Sequence, residues 1–270
     1  MKVTIVVDNI EHAGIPGEWG FCAYIEQNGK KLLLDTGASN LFAENAEKLN
    51  IDLKNIDFAV LSHAHYDHAN GMEKFFEINR KAPFYLQEGC GENCYFKKGF
   101  IRKYIGIPKG ITKKYQDRIE YVSGVYTVAD GIYLVSHSTP HLEQIGKKEM
   151  MYQKTKLGWK PDNFCHEQSL VLDTDGGLVI FNSCSHGGVV NIINEVKAAF
   201  PNKKITALIG GFHIFNHPEA EIRELAKLIK ETGIERIYTG HCSKERGYRI
   251  LREELGDMAG QFYVGMELVF

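Results

Sequence analysis

Four side chains that commonly bind metals stand close together in the segment Leu61–His68. His63 and His65 are two positions apart, so an extended or turning backbone can direct both imidazoles at one ion. Asp67 and His68 follow in the next turn and can reach a second ion. Imidazole and carboxylate donors are the set that Zn²⁺ and other borderline metals prefer. The segment predicts one or two divalent ions, with zinc favoured and manganese or iron as alternatives. It also makes Asp67 a candidate to orient or deprotonate a water molecule.

This spacing, His-x-His-x-Asp-His after a short strand, resembles the signature of the metallo-β-lactamase-fold hydrolases. The resemblance covers essentially the whole chain. Family members also carry an aspartate at the end of an early strand, matched by Asp35, and a late histidine at a strand end, matched by His241. The resemblance implies a four-layer αβ/βα sandwich of the α/β class, with the metals in a cleft at one edge of two sheets. It assigns His63 and His65 to the first ion, assigns Asp67, His68 and His241 to the second, and implies that Asp35 hydrogen-bonds the histidine-rich loop.

The chain departs from the family pattern around a predicted hairpin at residues 169–182. Typical members place a third histidine before this hairpin and a bridging aspartate after it, but no aspartate follows it here. The nearest donors are Cys184 and His186. Because an imidazole ligand needs no deprotonation, we expect His186 to bind directly and to bind one ion only. The second ion would then have fewer protein ligands and a lower occupancy, and a Cys184→Ser variant would keep its metal. His166, Glu167 and Cys184 are the alternatives for this ligand.

Four further segments resemble one branch of the family, the proteins grouped with the dihydropterin–ribofuranosylaminobenzene phosphate synthases. Those enzymes are named for joining a pterin methyl diphosphate to an arylamine ribose phosphate. The segments are residues 18–20, 166–170, 184–188 with Asn191, and 209–213. The resemblance therefore implies this branch and leaves the reaction of this chain open.

Gly210 and Gly211 directly precede Phe212 and His213 at the end of a predicted strand. Two glycines allow backbone N–H groups to approach a ligand closely, which suits a phosphate. His213 would then bind that anion or donate a proton, which makes it a second candidate catalytic residue. The alternative is a plain glycine turn with a surface histidine.

The elements that must position these residues follow from apolar periodicity and turn signals. Strands are predicted at residues 3–7, 22–27, 31–34, 58–61, 169–173, 178–182, 205–209 and 236–239. Helices are predicted at residues 41–49, 189–200, 219–231 and 244–255. Two successive halves of this kind indicate two mixed sheets packed face to face with helices outside, in one domain over residues 1–270. Residues 95–128 carry a basic insert that is either a cationic lid over an anionic substrate or a solvated surface.

Composition excludes several classes of protein. The 32 Lys and Arg nearly balance the 34 Asp and Glu, which opposes a dedicated nucleic-acid or membrane-surface protein. Six cysteines in 270 residues do not form a disulfide framework. No apolar run is long enough to span a bilayer, and Asp8 comes too early for a signal peptide, so we expect a cytoplasmic protein without membrane contact. The sequence says nothing of the oligomeric state.

The sequence therefore predicts a metal-dependent hydrolase or transferase that acts on a small phosphorylated or ester substrate through a metal-activated water. One alternative is a condensation of the pterin–arylamine ribose phosphate synthase type. A second is a nuclease, which only the basic insert supports and which the overall charge opposes. A third is a metal-binding regulator without turnover, which the complete His-x-His-x-Asp-His motif and His241 oppose.

Overall fold

The computed structural model describes residues 1–270. Its strands are β1 Lys2–Val7, β2 Cys22–Gln27, β3 Lys30–Leu34, β4 Phe58–Val60, β5 Phe84–Gln87, β6 Cys94–Lys98, β7 Ile101–Tyr104, β8 Ile119–Val122, β9 Val125–Ala129, β10 Ile132–Ser136, β11 Met151–Thr155, β12 Gly158–Pro161, β13 Gln168–Thr174, β14 Gly177–Phe181, β15 Ile205–Ile209, β16 Arg236–Thr239, β17 Ala259–Gln261 and β18 Glu267–Val269. Its helices are α1 Leu41–Lys48, α2 Tyr66–Ala69, α3 Met72–Ile78, α4 Ile111–Lys114, α5 Glu143–Lys148, α6 Val189–Ala199, α7 Glu219–Glu231 and α8 Lys244–Leu255. None of these helices combines the length and the apolar character that crossing a bilayer requires.

The strands form two large mixed sheets and one small sheet. The first large sheet has the order β18-β1-β2-β3-β4-β5-β8, and the second has the order β17-β16-β15-β14-β13-β10-β9. The small sheet has the order β12-β11-β6-β7. Asn28 and Gly29, which join β2 to β3, both have positive φ, as a two-residue hairpin turn of type I′ requires.

Three apolar clusters arrange the large sheets and the helices in four layers. A cluster of 20 buried residues lies between the two sheets and takes side chains from both, among them Ile5 and Phe181. A cluster of 24 lies on the outer face of the first sheet with α1 and α3, and one of 21 lies on the outer face of the second sheet with α6, α7 and α8. The predicted sandwich of two mixed sheets with helices outside is confirmed.

These layers form because successive side chains of a strand point to opposite faces of its sheet. In β14, Leu178 and Ile180 contact the outer cluster, whereas Val179 and Phe181 contact the cluster between the sheets. Successive side chains of a strand point to opposite faces, so a strand that is apolar at every position is buried on both. This pattern fits a sheet with helices on one side and a second sheet on the other.

The structure divides the predicted insert at 95–128. Its first part, β6 and β7, pairs with β11 and β12 in the small sheet. Its later part belongs to the sandwich itself, because β8 pairs with β5 of the first sheet and β9 pairs with β10 of the second. The added unit is therefore two hairpins from separate parts of the chain, and the charge run alone could not show its limits.

The strand topology brings distant loops to one edge of the sandwich. Strand β1 is antiparallel to β2, which is antiparallel to β3, and β3 is parallel to β4. The loops after β1, β3 and β4 therefore leave the first sheet at the same edge. Strands β14, β15 and β16 are parallel to one another, so their following loops also share an edge of the second sheet. These loops carry nearly all the candidate site residues.

Candidate metal centre

Three buried imidazoles meet where the two sheets face each other. A ring nitrogen from each of His63, His65 and His186 lies within 4.8 Å of the others. His63 Nε2, His65 Nε2 and His186 Nδ1 are buried and have no hydrogen-bond partner. Burial, aided by the neighbouring histidines, lowers the pKa of His63, His65 and His186 well below the usual range. Neutral imidazoles with unpaired buried nitrogens are costly in a protein interior and are the form that binds a metal, so these residues fit a divalent cation.

A second group faces them from the other side of the same loop. His68 Nε2 lies 3.2 Å from His241 Nε2, and His241 Nε2 lies 3.7 Å from Asp67 Oδ2. The rings of His63 and His68 have centroids 4.1 Å apart, so the two groups are neighbours. The donors that the resemblance assigns to a second ion are therefore together, adjacent to the first group.

Asp35 holds the histidine-rich loop in place from the end of β3. Its carboxylate accepts hydrogen bonds from the Ser62 backbone N–H and the Ser62 hydroxyl, both at 2.7 Å, and contacts His68 Nδ1 at 2.8 Å. Burial opposes protonation of His68, but Asp35 and Asp67 raise the pKa of that imidazole overall. Asp35 adopts a left-handed backbone with φ of 60°. It fixes the ring of His68 so that Nε2 points into the site.

His166 and Glu167 support the loops around the imidazole cluster. His166 Nδ1 accepts the Ala64 N–H at 3.1 Å, and its Nε2 contacts Asp162 Oδ2 at 3.1 Å. Both its nitrogens thus have protein partners. Glu167 accepts the backbone N–H groups of His186 at 2.9 Å and of Gly187 at 2.7 Å. These contacts favour a positioning role for both residues over the role of the missing ligand.

A buried row of ionisable side chains, which the sequence analysis missed, continues from Glu167. His137 Nε2 contacts Glu167 Oε2 at 2.5 Å, and His137 Nδ1 contacts Glu195 Oε2 at 2.8 Å. Burial opposes protonation, but the two carboxylates outweigh it and raise the pKa of His137 to about 10. These hydrogen bonds connect the end of β10 and helix α6 to the loop that carries His186. No local signal marks His137, because its partners come from two distant segments.

His241 is oriented by the loop after β1. The His241 N–H donates to Asp8 Oδ1 at 2.7 Å, and the Asn9 side chain donates to the His241 carbonyl oxygen at 2.9 Å. Burial raises the pKa of Asp8 to about 6, against hydrogen bonds from Ile10 and His241 that lower it. Asp8 was detectable in the sequence, since it follows a predicted strand as directly as Asp35 does.

The two glycines after β15 do not offer their amides to a ligand. The Gly210 N–H donates to the Tyr238 carbonyl, and the Gly211 N–H donates to the Ser183 carbonyl. A Cβ on Gly210 would collide with the Asn182 carbonyl. The predicted anion-binding role of this diglycine is therefore wrong: the glycines let the loops after β14, β15 and β16 pack together.

Two cysteines and His213 lie beside the imidazoles. Cys184 Sγ is 3.1 Å from Cys242 Sγ and 3.6 Å from His213 Nδ1. Burial raises the pKa of Cys184. Burial also opposes ionisation of Cys242, but hydrogen bonds with Cys184 and His213 lower its pKa to about 6. Burial lowers the pKa of His213, but Cys242 and Glu149 outweigh it and raise the pKa overall.

Two cavities open beside the centre. The larger, of about 390 Å³, is lined by Asp67, His65 and four aromatic side chains, which are Trp19, Tyr66, Phe96 and Phe215. The smaller, of about 260 Å³, is lined by Lys148, Glu149 and His217 among others. Both cavities are lined by His186 and His213. These two histidines therefore stand where the cavities meet.

Comparisons with known proteins agree with this fold. A family model described as the metallo-beta-lactamase superfamily matches residues 19–147. A 7,8-dihydropterin-6-methyl-4-(beta-D-ribofuranosyl)-aminobenzene-5'-phosphate synthase of Methanocaldococcus jannaschii is 29% identical over 273 residues, covering 93% of this chain and 88% of that protein. A second M. jannaschii protein, without an assigned function, is 27% identical over 247 residues, covering 89% of this chain and 90% of that protein.

Solved structures extend the agreement to the whole chain. Tm1679, described as a metal-dependent hydrolase of the beta-lactamase superfamily, has a TM-score of 0.85 at 26% identity and covers 100% of this chain and 99% of its own. Zn(2+)-bound PqqB from Methylobacterium extorquens has a TM-score of 0.58 at 12% identity and covers 100% of both chains. At this identity the similarity concerns the fold alone. The four-layer sandwich and these similarities together show that the chain has the metallo-beta-lactamase fold.

Proposed function

We propose that the chain is a metal-dependent hydrolase or transferase that acts on a small anionic substrate, a phosphorylated compound or an ester. The observation that carries this proposal is the cluster of three buried imidazoles, His63, His65 and His186, with one ring nitrogen of each within 4.8 Å of the others. His65 Nδ1 and His186 Nε2 are 3.1 Å apart. Neutral imidazoles that converge this closely in the interior indicate a ligand that accepts their lone pairs. A divalent cation of the zinc type has that property.

The residues that would hold the ions fall into the two groups described above. His63, His65 and His186 would hold one ion, and Asp67, His68 and His241 would hold the other. When bound, such ions activate water at neutral pH and polarise a phosphoryl or carbonyl oxygen. The name of the similar structure Tm1679, a metal-dependent hydrolase, supports the same chemistry here.

Asp67 and His213 are the residues placed to move protons. Asp67 lines the larger cavity, and its carboxylate can orient an attacking water and accept its proton. His213 stands where the two cavities meet, and its raised pKa favours the protonated form that can donate to a leaving oxygen. Glu149 Oε2 lies 4.0 Å from His213 Nε2 and stabilises that protonated form.

The larger cavity favours a flat, anionic substrate. Trp19, Tyr66, Phe96 and Phe215 offer ring surfaces, and Lys103 is a cation among the lining residues. The Lys244 ammonium lies 5.2 Å from the Trp19 ring and 5.3 Å from the Phe215 ring, which places a second positive charge beside the same aromatic pair. Rings bind a planar group by stacking, and the lysines bind its phosphate or carboxylate.

The proposal is tested by metal content and turnover of single-histidine variants. We expect His63→Ala and His65→Ala to lose most of the bound metal and at least about 100-fold of the hydrolysis rate on a panel of nitrophenyl phosphates and esters, with the fold intact. His141→Ala is the matched control, since that side chain is 73% exposed. Full metal content and full activity in either ligand variant would show that the assignment is wrong.

A second candidate is a condensation of two substrates, as in the similar M. jannaschii synthase. The observation in its favour is the pair of cavities that meet at His186 and His213, since two reactants need two adjoining places. Incubation with a pterin methyl diphosphate and an arylamine ribose phosphate tests it. Diphosphate release that needs the amine supports a synthase, whereas release without the amine supports a hydrolase.

The contacts of the basic segment favour a small anion over a nucleic acid. Lys114 pairs with Glu73, and Arg118 donates to the backbone carbonyls of Asn79 and Ala82. Lys97 and Arg102 stack on Tyr152 and Trp159. These charges serve local contacts, so they do not form one phosphate-binding stripe. We expect oligonucleotide binding to be weak and to show no steep dependence on salt.

A further inference from the structure

We propose that the smaller of the two cavities, of about 260 Å³, binds the uncharged, apolar alcohol part of the substrate, which is the part released on hydrolysis. The inference rests on the proposed function and adds to it the chemical class of the leaving group. Three features support this assignment, which are the apolar walls of the cavity, the pairing of its charged groups and its position beside the centre.

The walls of the smaller cavity come from α5, the N-terminal end of α6, the loop after β15 and α7. Their apolar side chains are Ile145, Val189, Phe212, Ile214 and Leu225. Val189, Phe212 and Ile214 are each at most 3% exposed and belong to the apolar cluster outside the second sheet, so the inner wall is well packed. A cavity of about 150 Å³ with such a lining is large enough for benzene. The smaller cavity therefore has room for an alkyl chain or for one or two aromatic rings.

The charged groups at the smaller cavity are paired with one another. Lys148 Nζ lies 2.9 Å from Glu221 Oε2. His217 Nε2 lies 3.3 Å from Glu149 Oε1, and its Nδ1 lies 3.5 Å from Glu221 Oε2. An anionic group in this cavity would meet both carboxylates, whereas in the larger cavity it meets the ammonium of Lys103. The charges therefore direct the anionic part of a substrate to the larger cavity and leave the smaller one to an uncharged part.

The smaller cavity lies on the leaving side of the reaction. His186 and His213 line both cavities, whereas Asp67 lines the larger one. Asp67 would present the attacking water from the larger cavity, so the bond that breaks would point past His213 into the smaller one. The water oxygen bonds to the phosphorus or carbonyl carbon and gives a proton to Asp67. The alcohol oxygen keeps the electron pair of the broken bond and takes a proton from His213.

Binding of a free alcohol tests the cavity without turnover. Equilibrium dialysis of the full chain with 2-naphthol, which has two fused apolar rings, should show one bound molecule per chain. The comparison ligand is 6-hydroxy-2-naphthoate, which has the same ring system with an added carboxylate. Because a buried carboxylate needs a cation, we expect the naphthoate to bind in the larger cavity beside Lys103.

A variant that fills the smaller cavity distinguishes the two places. Leu225 is half-buried on α7, so Leu225→Trp adds volume at the cavity without entering the inner wall. We expect it to weaken 2-naphthol binding at least about 10-fold and to change naphthoate binding less than about 2-fold. Leu228→Trp is the matched control, since Leu228 lies on the same helix, is 39% exposed and does not line the cavity. Ile145→Trp on α5 fills the same cavity from a second element and replaces Leu225→Trp if that variant does not fold.

Turnover of two matched substrates tests the leaving-group role. The substrates are 2-naphthyl phosphate and phenyl phosphate, or the corresponding acetates, because the two alcohols are similar as leaving groups and differ by one apolar ring. We expect kcat/KM of the wild type to favour the naphthyl substrate about 10-fold. The preference should disappear in Leu225→Trp and persist in Leu228→Trp.

The proposal is overturned if the wild type binds no 2-naphthol, or if Leu225→Trp and Ile145→Trp bind it as tightly as the wild type. A naphthyl preference that persists in both variants would also overturn it. The proposed function stands in each of these cases. A chain whose 2-naphthol binding responds to Leu225→Trp but which hydrolyses none of the substrates would instead contradict the proposed function and leave the smaller cavity as a site for an apolar ligand. Circular dichroism of each variant shows whether the fold is retained.

Discussion

At the scale of the residue, a supporting histidine has a carboxylate or a backbone group on both ring nitrogens. Each proposed ligand keeps one nitrogen that meets only another imidazole or no partner. His166 and His137 have a partner on both nitrogens, so each orients a neighbour. His63, His65 and His186 each leave one buried nitrogen free. All of these residues are histidines, so the difference depends on the direction of each ring in the folded protein. It supports the proposed division between histidines that bind metal and histidines that hold the backbone around them.

Asp35 is the clearest test at this scale. Asp35→Asn removes the negative charge beside His68. It also leaves a single oxygen to accept the hydrogen bonds from Ser62 and His68 that two carboxylate oxygens accept in the wild type. We expect metal affinity and turnover to fall about 10- to 100-fold without loss of a binding site. Competition with a chelator measures the affinity, and Asp117→Asn at an exposed position is the control. Unchanged affinity, or a structure with a metal–oxygen bond to Asp35, would contradict this role.

At the scale of the element, the centre depends on the close approach of loops that follow parallel strands. The loops after β14, β15 and β16 touch through backbone atoms, and Gly210 fits because it has no side chain. Left-handed backbone recurs in these loops, at Ser185, His213 and His241. Such conformations cost free energy and persist where the surrounding structure enforces them. The elements thus place strained residues at the site, and the packed strands hold them there.

Gly210→Ala tests this packing. Gly210 has φ of 155° and its Cβ would collide with the Asn182 carbonyl, whereas Gly233 has φ of 73° and open space around it. Gly233→Ala therefore carries backbone strain alone and should lower the free energy of unfolding by about 1 kcal/mol. Gly210→Ala adds a collision and should cost roughly 1–3 kcal/mol more, with weaker metal binding. Denaturant unfolding of both variants measures the difference, and equal losses would count against the proposed role of Gly210.

At the scale of the whole molecule, the centre joins the two sheets of the sandwich. The histidine-rich loop follows β4 of the first sheet, whereas His186 and His241 follow β14 and β16 of the second. Neither sheet alone contains the full set of donors. Binding of metal should therefore stabilise the packed sandwich as a unit, because a ligand that binds only the native state adds to its stability.

Global stability should also depend on pH through His137. Its pKa is raised to about 10 from an ordinary 6.5. The charged imidazole therefore stabilises the fold fully below pH 6.5, and this stabilisation is lost as the pH rises through about 10. We expect the free energy of unfolding of the metal-free protein to fall over this range by up to about 1.4 kcal/mol per pH unit. In His137→Gln, which does not titrate, the fall should be smaller. Parallel curves for the two proteins would show that His137 is not charged in the fold.

The sequence by itself determined the features that depend on neighbouring residues. The short apolar runs of β13 and β14, the turn at Asn28 and Gly29, and the helix periodicity of α7 are local patterns, so the two-sheet architecture followed from them. The spacing from His63 to His68 likewise puts four donors in one turn. Asp35 was identified through the family resemblance and its place at a strand end.

Only the tertiary structure decided which distant side chains complete the centre. His65 and His186 are 121 positions apart, and His68 and His241 are 173 apart. The direction of each ring depends on loops packed across both sheets, so sequence could not separate Cys184 from His166 and Glu167 as candidate ligands. It likewise could not show that Gly210 serves packing or that His137 bridges two carboxylates. Local patterns specify elements, whereas convergence on one edge depends on how the elements pack.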